Sequence, residues 1–210
     1  MQIERRDYLG SAAIETRSDG GKTLIGYAAK YYNPNDKAGT EFRMGEKIVE
    51  RIAPGAFSRA LAENQDVAAL VNHDPNQIIG RSSAGTLVLE ADSVGLRYRI
   101  DLPDTQAGRD IAESVRRGDV TGSSFGFSVN GIEGRSMTNE NGLTIRTLKD
   151  VKLYDVGPVT FPAYSGTTTG IRSSDSKDLE EDAERYRIAE QRKINRLRFL
   201  KTLDEALPIS

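Results

Sequence analysis

"RRGDVTGSSFGFSV", residues 116–129, decides how this chain is read. Glycine and serine are too frequent here for an ordinary core strand, yet Phe125, Phe127 and Val129 recur at alternate positions. Alternation predicts a β-strand, because successive side chains point to opposite faces. Thr121, Ser123, Phe125, Phe127 and Val129 then share one face, and Val120, Gly122, Ser124, Gly126 and Ser128 the other. The phenylalanine face belongs to the core, so Ser124 is predicted to point away from it. Gly122 and Gly126 flank Ser124 and, lacking side chains, would let another backbone approach closely. That is a fitting place for a nucleophile. The alternative is that the glycines mark a bulge or a barrel bend and the serines carry no chemistry.

Working outward, "TQAGRDIAESVRR" (105–117) is the best helix of the body. Asp104 is its predicted N-cap, Ile111 and Val115 lie four apart on one face, and Gly118 marks its end. Residues 22–32 and 47–52 have the β-branched and aromatic content of strands, with a loop predicted at 33–46. "PGAFSRALAEN" (54–64) reads as a turn and short helix. Residues 66–73, "DVAALVNH", alternate so that Val67, Ala69, Val71 and His73 share a strand face. "TLVLEADSVGLRYRIDLP" (86–103) is a hairpin turning near 93–95. A polar loop is predicted at 133–142, followed by one or two returning strands at 143–161. The expected class is α+β, mostly β, with a few helices between the strands.

Residues 165–176 are small and polar, as in a linker. Beyond them the chain is highly charged, with acids gathered first (Asp178 to Glu184) and bases later (Arg185 to Lys201), an order that complements a helix dipole. Ile194, Leu197, Leu200, Leu203 and Leu207 add a partial apolar stripe, which predicts a tail helix in need of a partner surface. The expected division is a body at 1–172 and a linker with charged helical tail at 173–210.

Composition narrows the chemistry. The 210 residues contain no cysteine and one histidine, which excludes disulfides, thiolate nucleophiles and a multi-histidine metal site within the chain. No metal or organic cofactor is expected. A net charge of −2 provides no basic field for nucleic acid. No run approaches the ~20 apolar residues of a membrane span, and the start lacks a signal peptide's apolar stretch, so a cytoplasmic location is expected.

Serine needs a neighbouring base, near neutral pH usually histidine. His73, at the end of the apolar run and before Pro75, is the sole candidate of that kind. A carboxylate should orient its ring. Several candidates are available, including Asp74, Asp150 and Asp155. Asp74 ranks lower, because adjacent side chains on an extended chain diverge. Asp155 sits in the otherwise apolar "KLYDVGPVTFPAY" (152–164), where an unpaired carboxylate would be costly to bury.

"LVNHDPNQIIGR" (70–81), "GLRYRIDLPDT" (95–105), "VRRGDV" (115–120), "GSSFGFSV" (122–129) and "LYDVGPVTFPAY" (153–164) resemble, in order and spacing, the prohead maturation proteases of tailed bacteriophages. These are serine proteases related to the herpesvirus assemblins. The resemblance runs from about residue 23 to 165. It implies that His73 and Ser124 are catalytic, with Asp155 as the acid. Assemblins use a second histidine there, which a chain with one histidine cannot supply. It further implies a small antiparallel β-barrel with surrounding helices, acting inside the procapsid in the host cytoplasm. The implied substrate is the scaffolding protein, or the scaffold segment of the major capsid protein, and the protease itself. Oligomeric state is left open, a homo-oligomer included. The competing reading is a non-enzymatic capsid or scaffold component. A carbohydrate- or nucleotide-binding β-domain has less support, for want of a phosphate-cradling glycine motif or a tryptophan platform.

Overall fold

The computed structural model describes residues 3–9 and 12–162, and in the C-terminal part 181, 183–189, 191, 192, 194 and 195. Thirteen strands and three short helices make up the described body. In chain order they are β1 (Glu4–Tyr8), β2 (Ala13–Thr16), β3 (Lys22–Lys30), α1 (Lys37–Thr40), β4 (Glu41–Arg43) and β5 (Ile48–Ile52). There follow α2 (Ser58–Ala62), β6 (Ala68–Leu70), β7 (Ile78–Arg81), β8 (Leu87–Ala91), β9 (Gly95–Asp101) and α3 (Gln106–Arg117). The body ends with β10 (Gly122–Val129), β11 (Arg135–Glu140), β12 (Leu143–Leu148) and β13 (Val151–Val159).

The strands form three sheets, ordered β1-β10-β13-β6-β7, β11-β12-β5-β4 and β2-β3-β9-β8. Among the described residues no ladder closes them into a barrel, and β12 with β5 and β13 with β6 pair in parallel. The mostly β class is therefore observed, while the closed antiparallel barrel is not. Phe125 and Phe127 stack at 4.8 Å in the shared core, and Phe57 meets Phe125 edge-on at 5.6 Å. Ile111 and Val115 bury the apolar face of α3 in the same core. Packed faces of this kind, each side chain worth ~1.5–3 kcal/mol of burial, account for the association of the sheets.

Several local expectations are revised. Thr105, not Asp104, caps α3, accepting a hydrogen bond from the Gly108 amide at 3.2 Å. Gly118 ends that helix at φ 82°, as its position predicts. The loop expected at 33–46 contains α1 and β4. The loop expected at 133–142 is mainly β11, joined to β12 through Asn141 and Gly142, both at positive φ. The predicted strand at 66–73 ends at Leu70. The predicted linker lies outside the described residues, as does most of the tail. The described tail residues are helical, and Ala183 is buried against Met44 and Ile48.

Candidate active site

β10 runs between β1 and β13, so Ser124 faces Asp7 on one side and Gly157 on the other. Its two serines diverge as alternation requires. Ser123 shares the core face with Phe125 and exchanges a 2.7 Å hydrogen bond with the Tyr98 hydroxyl. Burial pushes that phenol up to about 12. Ser124 is on the opposite face, with its Oγ 2.6 Å from His73 Nε2.

His73 reaches Ser124 from a turn, not from a strand. Asn72 and His73 adopt φ of 53° and 57°, a left-handed pair that Asn and His tolerate better than most residues. Asn72 is pinned to the end of β13: its amide donates to Pro158 O at 3.0 Å, and its side chain exchanges hydrogen bonds with Thr160. Gly157, at φ 155°, lets the Leu70 carbonyl approach so closely that a Cβ there would overlap it. The close backbone approach predicted at Gly122 and Gly126 thus occurs one strand over. It brings the histidine turn down onto the serine strand.

Asp155 is turned toward His73 by a bulge. Gly126 pairs with Asp155, but Phe127 pairs with Leu153, so Tyr154 is the extra residue. Strict alternation from Val151 and Leu153 would aim Asp155 into the core. The bulge moves it to the opposite face, where its carboxylate bonds His73 Nδ1. Gly126 provides the space, since a Cβ on it would overlap Asp155 Oδ2. Asp74 instead accepts from Asn76, and Asp150 is engaged by Asn130 and Arg59.

A fourth group, unmarked in the sequence, adjoins the ring. Asp7 Oδ1 lies 3.8 Å from His73 Nε2, and the Arg6 carbonyl accepts from Ser124 Oγ at 2.9 Å. Both come from β1, whose "ERRDY" carries no apolar alternation to announce a strand. Burial works to lower the His73 pKa, but the hydrogen bond to Asp155 and the nearby Asp7 carboxylate outweigh it, and the net shift is upward. Below β1, Glu50 and Arg146 form a buried ion pair that also holds Arg6 and Glu4. Chemically, an imidazole held by a carboxylate against a hydroxyl can move a proton off that hydroxyl.

A family model for the caudovirus prohead serine protease matches residues 11–182, and the chain belongs to that family. Serine proteolysis in phage head assembly is therefore the class of activity to which the fold and site answer. Among solved structures, the bacteriophage T4 capsid assembly protease gp21 is similar in fold, with a TM-score of 0.51 at 14% identity. The likeness covers 77% of this chain and 98% of that one. No curated protein matches the chain. Among the described residues no helix is long and apolar enough to cross a membrane.

Proposed function

We propose that the chain is a Ser–His–Asp endopeptidase of phage head maturation, acting inside the procapsid on the scaffolding protein or the scaffold segment of the major capsid protein. The observation that carries this reading is the continuous contact from Ser124 through His73 to Asp155 in a chain of the prohead protease family. His73 Nε2 takes the Ser124 proton as Oγ forms a bond to the scissile carbonyl carbon. It returns that proton to the leaving amine as the C–N bond breaks, and water then hydrolyses the acyl-enzyme by the same route. Asp155 keeps Nδ1 protonated and stabilises the imidazolium. Self-cleavage, with residues 171–177 as its region, and delivery of the protease into the shell by the segment 173–210 belong to the same proposal.

Co-expression with the neighbouring capsid or scaffold protein, followed by intact-mass analysis, tests it. Defined fragments from the wild type and none from a folded Ser124→Ala variant are expected. Identical products from both would point instead to Ser123 as the nucleophile, which Ser123→Ala would show, or to a structural assembly component.

A further inference from the structure

Ser124 has no exposed surface, although a protease nucleophile must meet a peptide from outside. Beside it runs β1, the edge strand of its sheet, whose Arg6 carbonyl contacts Ser124 Oγ. β1 pairs antiparallel with β10, Glu4 opposite Phe127, Arg6 opposite Phe125 and Asp7 opposite Ser124. The Arg6–Asp7 peptide unit consequently lies over the nucleophile, with the Arg6 carbonyl bonded to Oγ. The family match begins at residue 11, just beyond this strand.

Taking the protease reading as its basis, we propose that β1 stands where the substrate strand goes, and that Glu50 and Arg146 select the substrate's side chains as they hold those of β1. Arg6 occupies the position just before the scissile bond. Its Nε donates to Glu50 Oε1 at 2.6 Å and its Nη2 to Glu50 Oε2 at 3.0 Å, a two-pronged grip that a lysine would not reproduce. Two residues earlier, Glu4 accepts two hydrogen bonds from Arg146, each 2.7 Å. With β1 gone, β10 becomes a free edge able to accept an added strand, and Glu50 and Arg146 lie beneath it. The substrate class is an extended segment with an acidic residue, any residue and then an arginine before the cut.

The bound strand also holds the serine in an unreactive arrangement. A hydroxyl has one proton. When Ser124 gives it to the Arg6 carbonyl, the 2.6 Å contact with His73 must be filled by a proton on Nε2, and the base is already protonated. Asp7 beside Nε2 favours that charged ring. Displacement of β1 removes both influences and frees Oγ to donate to a neutral imidazole.

The test replaces Gly10–Ser11 with the recognition sequence of a specific protease, so that β1 is severed only after the chain has folded. Labelling of Ser124 by a fluorophosphonate is followed before and after severing and dilution, with Ser124→Ala as the blank. We expect at least a tenfold faster labelling after severing, and suppression by excess synthetic peptide of residues 1–10. The same peptide carrying Arg6→Ala should suppress about tenfold less well, as the loss of a charge-assisted pair implies. Equal labelling before and after would leave the protease and overturn the role of β1, and equal suppression by both peptides would overturn the role of Glu50. No labelling of either form would overturn the nucleophile, and with it this inference.

Discussion

The carboxylate of Asp155 fills the space that a side chain on Gly126 would take, so that a Cβ there would overlap Oδ2. Gly126→Ala therefore pushes on the group that orients the His73 ring. The methyl lies on the site face, away from Phe125 and Phe127, so the core should survive. The expected outcome is a near-native melting curve with a fall of about 100-fold in kcat/KM, the scale at which a displacement of ~1 Å affects catalysis. Peptide cleavage rates beside the thermal melt will check it.

The neighbouring serines separate structure from chemistry. Ser124→Ala should abolish cleavage and leave the fold intact. Ser123→Ala removes the partner of a buried phenol, Tyr98, and should cost about 1–3 kcal/mol of stability while cleavage persists. Denaturant unfolding of the two variants, alongside cleavage assays, would show the opposite pattern if Ser123 were the nucleophile.

Because the chain has one histidine, its imidazole resonance is unambiguous by NMR. His73 should titrate above its ordinary 6.5, since the carboxylates of Asp155 and Asp7 outweigh the effect of burial. A raised folded-state value means that this interaction stabilises the fold fully below pH 6.5 and that the contribution is lost as pH rises through the folded value. Catalysis has the opposite sense, because only the neutral ring accepts a proton, so cleavage rises through that range. Asp155→Asn should move the titration downward and slow cleavage about 10³–10⁴-fold. An unmoved titration would remove Asp155 from the site.

The sequence makes the serine strand legible because Phe125 and Phe127 alternate in an otherwise small-residue run. The helix before it is legible because Ile111, Val115 and Gly118 keep helical spacing. The rest depends on contacts that local pattern does not encode. Apart from Met137, β11 is polar, and its signal is the Asn141–Gly142 turn, which favours a hairpin whatever the flanking residues. β1 offers the core Glu4 and Arg6 in place of apolar residues, and these are tolerable only because Glu50 and Arg146, distant in sequence, neutralise them. Asp155 faces the ring through a bulge at Tyr154 that alternation alone would miss. His73 is readable from composition as the candidate base, but its approach to Ser124 from a left-handed turn is not.

The same buried charges predict how β1 responds to acid. Burial works to raise the Glu4 pKa, yet the hydrogen bonds and charge of Arg146, with Arg6 adding to them, hold it down to about 2. A depressed carboxylate stabilises the fold fully above its ordinary 4.5, and that contribution is lost as pH falls through about 2. Hydrogen exchange at the β1 amides should therefore accelerate, relative to the intrinsic rate, as pH drops through that window, with the central strands following later. Glu4→Gln should loosen β1 already at neutral pH and leave the remaining sheets protected. Glu50→Gln is harsher, because it strands the Arg6 and Arg146 guanidiniums in the interior, and about 3–5 kcal/mol of global stability should be lost. If both variants lost protection everywhere alike, β1 would be part of the same cooperative unit as the core, unable to leave β10 on its own.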